Sequence, residues 1–130
     1  MREILFRGKR IGYNEWVEGH LVALPKNPYI IDEKGDVYIL NPQTVGQFTG
    51  LLDKNAKKVF EGDIVKYTPR PNCEIIYEVI WQQECIRFSL VQWSTHKYNL
   101  WEWDEETKVK YMCEVIGNIH DNPELLEVNQ

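Results

Sequence analysis

The sequence lacks any long apolar run. Uninterrupted apolar stretches reach four residues, as in Leu21-Val22-Ala23-Leu24, which ends at Pro25. A membrane-spanning helix needs about 20, so no such span is expected. Cysteine is scarce and odd in number: Cys73, Cys85 and Cys113. An unpaired count without a spaced framework argues against a disulfide-stapled secreted scaffold. Positive charge is not in excess. Fifteen Lys and Arg stand against twenty Asp and Glu, for a formal charge of −5, the opposite of a strongly basic nucleic-acid binder. The opening MREILFRGKR has charge at both ends and no apolar core of signal-peptide length. The expected compartment is therefore a cytoplasm. Internal repeats and low-complexity segments are absent.

Catalytic and metal-binding signatures are also missing. There is no Cys-x-x-Cys, no His-x-x-x-His, no Gly-x-Ser-x-Gly and no phosphate-cradling glycine loop. No metal and no cofactor is expected, and an enzyme is not the favoured reading. His96 and His120 fall in polar loops and read as solvated side chains.

What is present is a domain-sized chain of 130 residues, 12% aromatic, with five Trp and seven Tyr. So many large apolar side chains exclude a disordered chain. Residues 1–65 hold nine bases and nine acids, and residues 66–130 hold six bases and eleven acids. The acidic excess therefore belongs wholly to the second half.

The apolar pattern is mostly that of short strands bounded by turn residues, which indicates a small barrel or sandwich. Strands are expected near 4–7, 16–24, 29–31 and 37–40, with Asn41-Pro42 closing the last. Further strands are expected over 44–51, 58–60 and 64–67. In 74–81, Ile75, Tyr77, Val79 and Trp81 share one face, while Glu74, Ile76, Glu78 and Ile80 share the other. Strands are also expected over 86–93, 100–103 and 108–119. In the last, Cys113 falls on the apolar phase and reads as a buried free thiol. In Asn122-Pro123-Glu124-Leu125-Leu126, a cap residue, a first-position proline and an acid in the first turn predict a short helix. Its two leucines must dock on the body of the protein or on another subunit.

Three segments resemble the YopX family of phage and prophage proteins. They are Thr44 to Leu51 with Asp53-Lys54-Asn55; Val59-Phe60-Glu61-Gly62-Asp63-Ile64-Val65; and Glu114-Val115-Ile116-Gly117-Asn118-Ile119 with Asn122-Pro123-Glu124-Leu125-Leu126. The opening Phe6-Arg7-Gly8-Lys9 fits as well. Residues 68–112 carry little of the match. The resemblance implies a mainly β fold with an N-terminal β extension over 1–43 and an SH3-type small β-barrel over 44–130. It also implies a homo-oligomer, a mobile-element origin and a bacterial cytoplasm. It implies no catalytic residues.

The candidate partner-binding residues are Trp81, Trp93, Trp101 and Trp103 with Glu102, Asp104, Glu105 and Glu106. Core and interface packing is the plainer reading of the tryptophans, and protein contact is the functional one, because aromatics concentrate at interface centres. The carboxylates read first as a solvated hairpin tip. As an alternative they imitate DNA phosphates toward a host protein. A nucleic-acid-binding barrel using Arg7, Lys9 and Arg10 is a further alternative, weakened by the acidic balance. Asp53, Glu61 and Asp63 are grouped as acid–base or cation chemistry would need. Turn chemistry is their favoured reading, since Gly62 supplies an unusual φ and Asp accepts backbone bonds. Gly46, Gly50, Gly62, Asp63, Gly117, Asn118, Asn122 and Pro123 are candidate structural positions. The expected partners are a second copy of the chain or a host or phage protein, with no membrane.

Overall fold

The structure, a computed structural model, describes residues 3–82, 87–91, 100–102 and 113–126. The described residues divide into two units, 1–50 and 51–130, with the division inside one strand.

In the first unit β1 is Phe6–Lys9, β2 Trp16–Val22, β3 Tyr29–Ile31 and β4 Val37–Ile39. A 3-10 turn at Pro42–Thr44 leads into β5, Gly46–Leu52. Asn41 caps that turn, its side chain accepting from the Gln43 N–H. All pairings are antiparallel, in the order β4-β3-β2-β1-β5. The sheet curls strongly. Past the end of β1, Arg10 bridges to Leu40, Ile11 N–H donates to the Ile39 carbonyl at 2.8 Å, and Asn41 N–H donates to the Lys9 carbonyl at 2.9 Å. Ile30, Leu40 and Phe48 fill the interior. Gly19 lies so close to Ile31 that a Cβ there would meet the Ile31 carbonyl oxygen.

In the second unit β6 is Lys58–Phe60. β7 is Asp63–Arg70, β8 Cys73–Gln82, β9 Arg87–Val91, β10 Leu100–Glu102 and β11 Cys113–Asn118. The antiparallel order is β10-β9-β8-β7-β11. Arg70 pairs with Cys73 across Pro71-Asn72, and Asn72 has φ 65°. Proline first and a left-handed asparagine second are the residues a type II turn requires. The period-two reading of 74–81 holds: Tyr77 and Val79 are buried, and Glu74 is exposed. The row Val115, Val65, Tyr77 crosses three strands, and Val59, Val79 and Cys113 complete the core. Each such side chain contributes about 1.5–3 kcal/mol by leaving water.

Two expectations need correction. The described strands form open antiparallel sheets and no closed barrel. Among the described residues the C-terminal helix is a four-residue 3-10 turn, Pro123–Leu126. The Asn122 side chain is turned back to accept from Asn118 N–H at 3.3 Å, and so does not cap a helix. The turn packs against β8 and leaves Leu125 and Leu126 half-buried. Among the described residues no helix is long and apolar enough to cross a membrane.

Candidate functional site

Within the second unit, parts of all three resembling segments meet in one junction: Asp53-Lys54-Asn55 of the first, Gly62-Asp63 of the second and Val115 to Asn122 of the third. Asp53 is buried. Its Oδ1 accepts from Asn55 N–H at 2.8 Å and Lys57 N–H at 2.9 Å, which closes the β5–β6 turn. Its Oδ2 accepts from Val115 N–H at 2.9 Å, which ties that turn to β11. Lys54 N–H adds a bond to the Cys113 carbonyl at 3.0 Å. Gly62, with φ 92°, donates to the Val79 carbonyl and accepts from Ile119 N–H, both at 2.9 Å. The second segment is thereby joined to the third.

Asp63 is 1% exposed, and its Oδ2 accepts from Phe60 N–H at 2.7 Å. Asn118 Oδ1 accepts from His120 and Asp121 N–H at 3.0 and 2.9 Å. Gly117 makes room for Asn122, whose Oδ1 would lie 2.5 Å from an added Cβ. Pro123 opens the final 3-10 turn. Gly46 is buried opposite Arg7, and Gly50 has φ 90° within β5. Asp53 and Asp63 thus serve the backbone, as turn chemistry requires. Glu61 is half-buried beside them in the chain.

Burial pushes the Cys113 thiol up to about 12, with the negative charge of Asp53 adding to the effect. At neutral pH this thiol is protonated and unreactive. Burial likewise raises the Tyr77 hydroxyl to about 12. Among the described residues no three His, Cys, Asp or Glu side chains gather in a way that would hold a metal. His120, expected to be solvated, is half-buried, because its loop folds onto Gly62.

Only part of the partner-binding candidate falls on described residues. Trp81 is 37% exposed near the end of β8, opposite Phe88. Trp101 and Glu102 lie on β10, opposite Leu90 and Ser89. Trp93, Trp103, Asp104, Glu105 and Glu106 lie outside the described residues, as do His96 and Cys85.

The structure brings forward two features of the first unit, one that residue patterns did not single out and one built on the Arg7, Lys9 and Arg10 cluster that they did. The first is an apolar outer sheet face. The register aligns Val22, Tyr29 and Ile39 in one row, and His20, Ile31 and Val37 in the next. Side chains paired across strands share a face, and the opposite face holds Ile30 and Leu40. Val37 is 57% and Ile39 51% exposed. Because Tyr29-Ile30-Ile31 and Val37-Tyr38-Ile39-Leu40 are apolar at every position, period-two reading cannot separate their outer side chains from their inner ones. The second feature is the seating of Arg7, Lys9 and Arg10 on aromatic rings.

The family model described as YopX protein matches residues 5–127. Among solved structures, the chain is similar to "protein EF1440 from Enterococcus faecalis", with a TM-score of 0.57 and 21% identity, covering 97% of this chain and 99% of that one. At that identity the likeness is one of fold. The search of curated proteins gave no match.

Proposed function

The chain belongs to the YopX family, and from that premise we propose that it is a phage or prophage accessory protein, non-enzymatic, working in the bacterial cytoplasm through protein–protein contacts as a homo-oligomer. The observation that carries this reading is the outer face of β2, β3 and β4. Isolated exposed apolar side chains are ordinary on a protein surface. Here Val22, Tyr29, Ile31, Val37 and Ile39 adjoin across three strands, and contiguous apolar patches mark contact surfaces. The first unit has no net charge to keep partners apart, with six bases and six acids in residues 1–50. The SH3-type architecture of the second unit belongs to the same proposal, supported by its five-strand antiparallel order.

Light scattering over a range of concentrations tests the reading, together with capture of partners from host lysate. The expected result is a species of a multiple of 15.5 kDa that Ile39→Glu reduces toward the single chain. A host or phage protein captured by the native chain and lost in Ile39→Glu places the contact between different proteins. A clean single-chain mass with no captured protein above background overturns the proposal.

A further inference from the structure

A second surface of the first unit is built differently from the apolar face. The end of β1 and the turn after it carry three cations, and each is laid on an aromatic ring. The Arg7 guanidinium lies 4.7 Å from the centroid of the Trp16 ring, and Lys9 Nζ lies 5.5 Å from the same centroid. Arg10 lies 4.0 Å from the centre of Tyr13 and 5.0 Å from that of Tyr38. Polar partners hold these groups in place: Lys9 Nζ donates to Asn14 Oδ1 at 2.7 Å, and Arg10 Nη1 donates to Glu15 Oε1 at 3.0 Å. Tyr13 is nevertheless 62% exposed.

We propose that this cation–aromatic turn binds single-stranded nucleic acid, with a base stacked on Tyr13 and the adjoining phosphates held by Arg7, Lys9 and Arg10. Sequence-tolerant single-strand binding combines a positive track with aromatic platforms and cation–π support from arginine. All three are present within residues 7–16. A guanidinium has five N–H donors, so the bond to Glu15 does not exhaust Arg10.

The local charge is partly compensated: Glu15 pairs with Arg10 and Glu18 lies opposite Arg7 in the β1–β2 register, so stacking on Tyr13 is asked to supply more of the affinity than net charge does. Duplex is not the favoured ligand, because its bases are already stacked on one another. This surface shares no side chain with the apolar face of β2–β4, so the two proposals stand or fall separately.

The test is fluorescence anisotropy of the full chain with labelled oligo(dT), oligo(U) and a duplex, each about 15 nucleotides long, at about 50 and 200 mM salt. Tight binding of oligo(dT) alone assigns DNA, and of oligo(U) alone RNA. Three phosphate contacts at about 0.7 ion each predict a roughly twentyfold loss of affinity between the two salts. Tyr13→Ala is expected to weaken binding at least about fivefold, and Tyr13→Phe to retain it. Lys34→Ala removes an exposed cation from a different turn and is expected to leave affinity unchanged. Circular dichroism of each variant confirms the fold. Absence of single-strand binding at the lower salt overturns the proposal. So do preference for duplex, full affinity in Tyr13→Ala, or equal loss in Lys34→Ala.

Discussion

The carboxylate of Asp53 accepts a hydrogen bond at 2.9 Å from the backbone N–H of Val115, 62 residues further along the chain. One side chain thus closes its own turn and fastens that turn to the strand that completes the second sheet. Hydrogen bonds to an ionised group are stronger than neutral ones, and a buried N–H left without an acceptor costs about 1–3 kcal/mol. Asp53→Ala is expected to lower the unfolding free energy by about 3 kcal/mol, measured by urea denaturation. Lys54→Ala, one residue away, removes only an exposed 3.7 Å ion pair to Glu114. It is expected to cost less than about 1 kcal/mol.

Cys113 predicts how stability responds to alkali. Its folded pKa, pushed up to about 12, lies above the ordinary thiol value of 9.0. The native state therefore holds this proton where the unfolded chain has released it. The associated stability is intact below about pH 9 and is lost as pH rises toward 12. Tyr77, raised from 10.0 to about 12, adds to the loss in the upper part of that window. Unfolding free energies are expected to hold between pH 8 and 9 and then to fall toward pH 12, by up to about 1.4 kcal/mol per pH unit for the Cys113 proton. Cys113→Ala is expected to show a shallower fall from pH 9. In the native protein at pH 8, Cys113 is expected to resist alkylation until denaturant is added, as read by mass spectrometry.

Ala56 sits in the Asp53 turn with φ 63°, in the left-handed region where a Cβ is strained. Ala56→Gly is expected to raise stability by about 0.5–1 kcal/mol, the relief of strain exceeding the added freedom of the unfolded chain. An unchanged or lower urea midpoint would show that the turn tolerates alanine without strain.

Gly19 and Gly35 separate two reasons for glycine. A methyl group at Gly19 meets the backbone of Ile31, while Gly35 has open space around it and φ 86°. Gly19→Ala is expected to force β2 and β3 apart and cost more than about 3 kcal/mol, by steric conflict against backbone. Gly35→Ala is expected to cost about 1 kcal/mol for the left-handed conformation alone. Thermal melts of the two variants give the order directly.

The junction was partly legible before folding was considered. Gly62 and Asp63 announce a turn because their chemistry is local: a free φ and a carboxylate able to reach a nearby N–H. Asp53 reads, with Glu61 and Asp63, as turn chemistry, and only the register of β11 shows what its second oxygen binds. Gly117 read as a structural position without a reason. The reason is Asn122, which folds back over it.

What the amino-acid sequence determined by itself was whatever depends on neighbours along the chain. It set the β class, the alternation that buries Tyr77 and Val79, and the buried phase of Cys113. The tertiary structure decided what depends on register. It left the strands as open sheets and reduced the final helix to one 3-10 turn. It bound Asp53 to Val115, gathered five apolar side chains on the outside of β2, β3 and β4, and placed Arg7 and Lys9 on Trp16. The physical reason is the same in each case. A residue's pattern says that a side chain must be covered or a polar group satisfied, but the partner that does so is distant in sequence and is chosen only when strands pair.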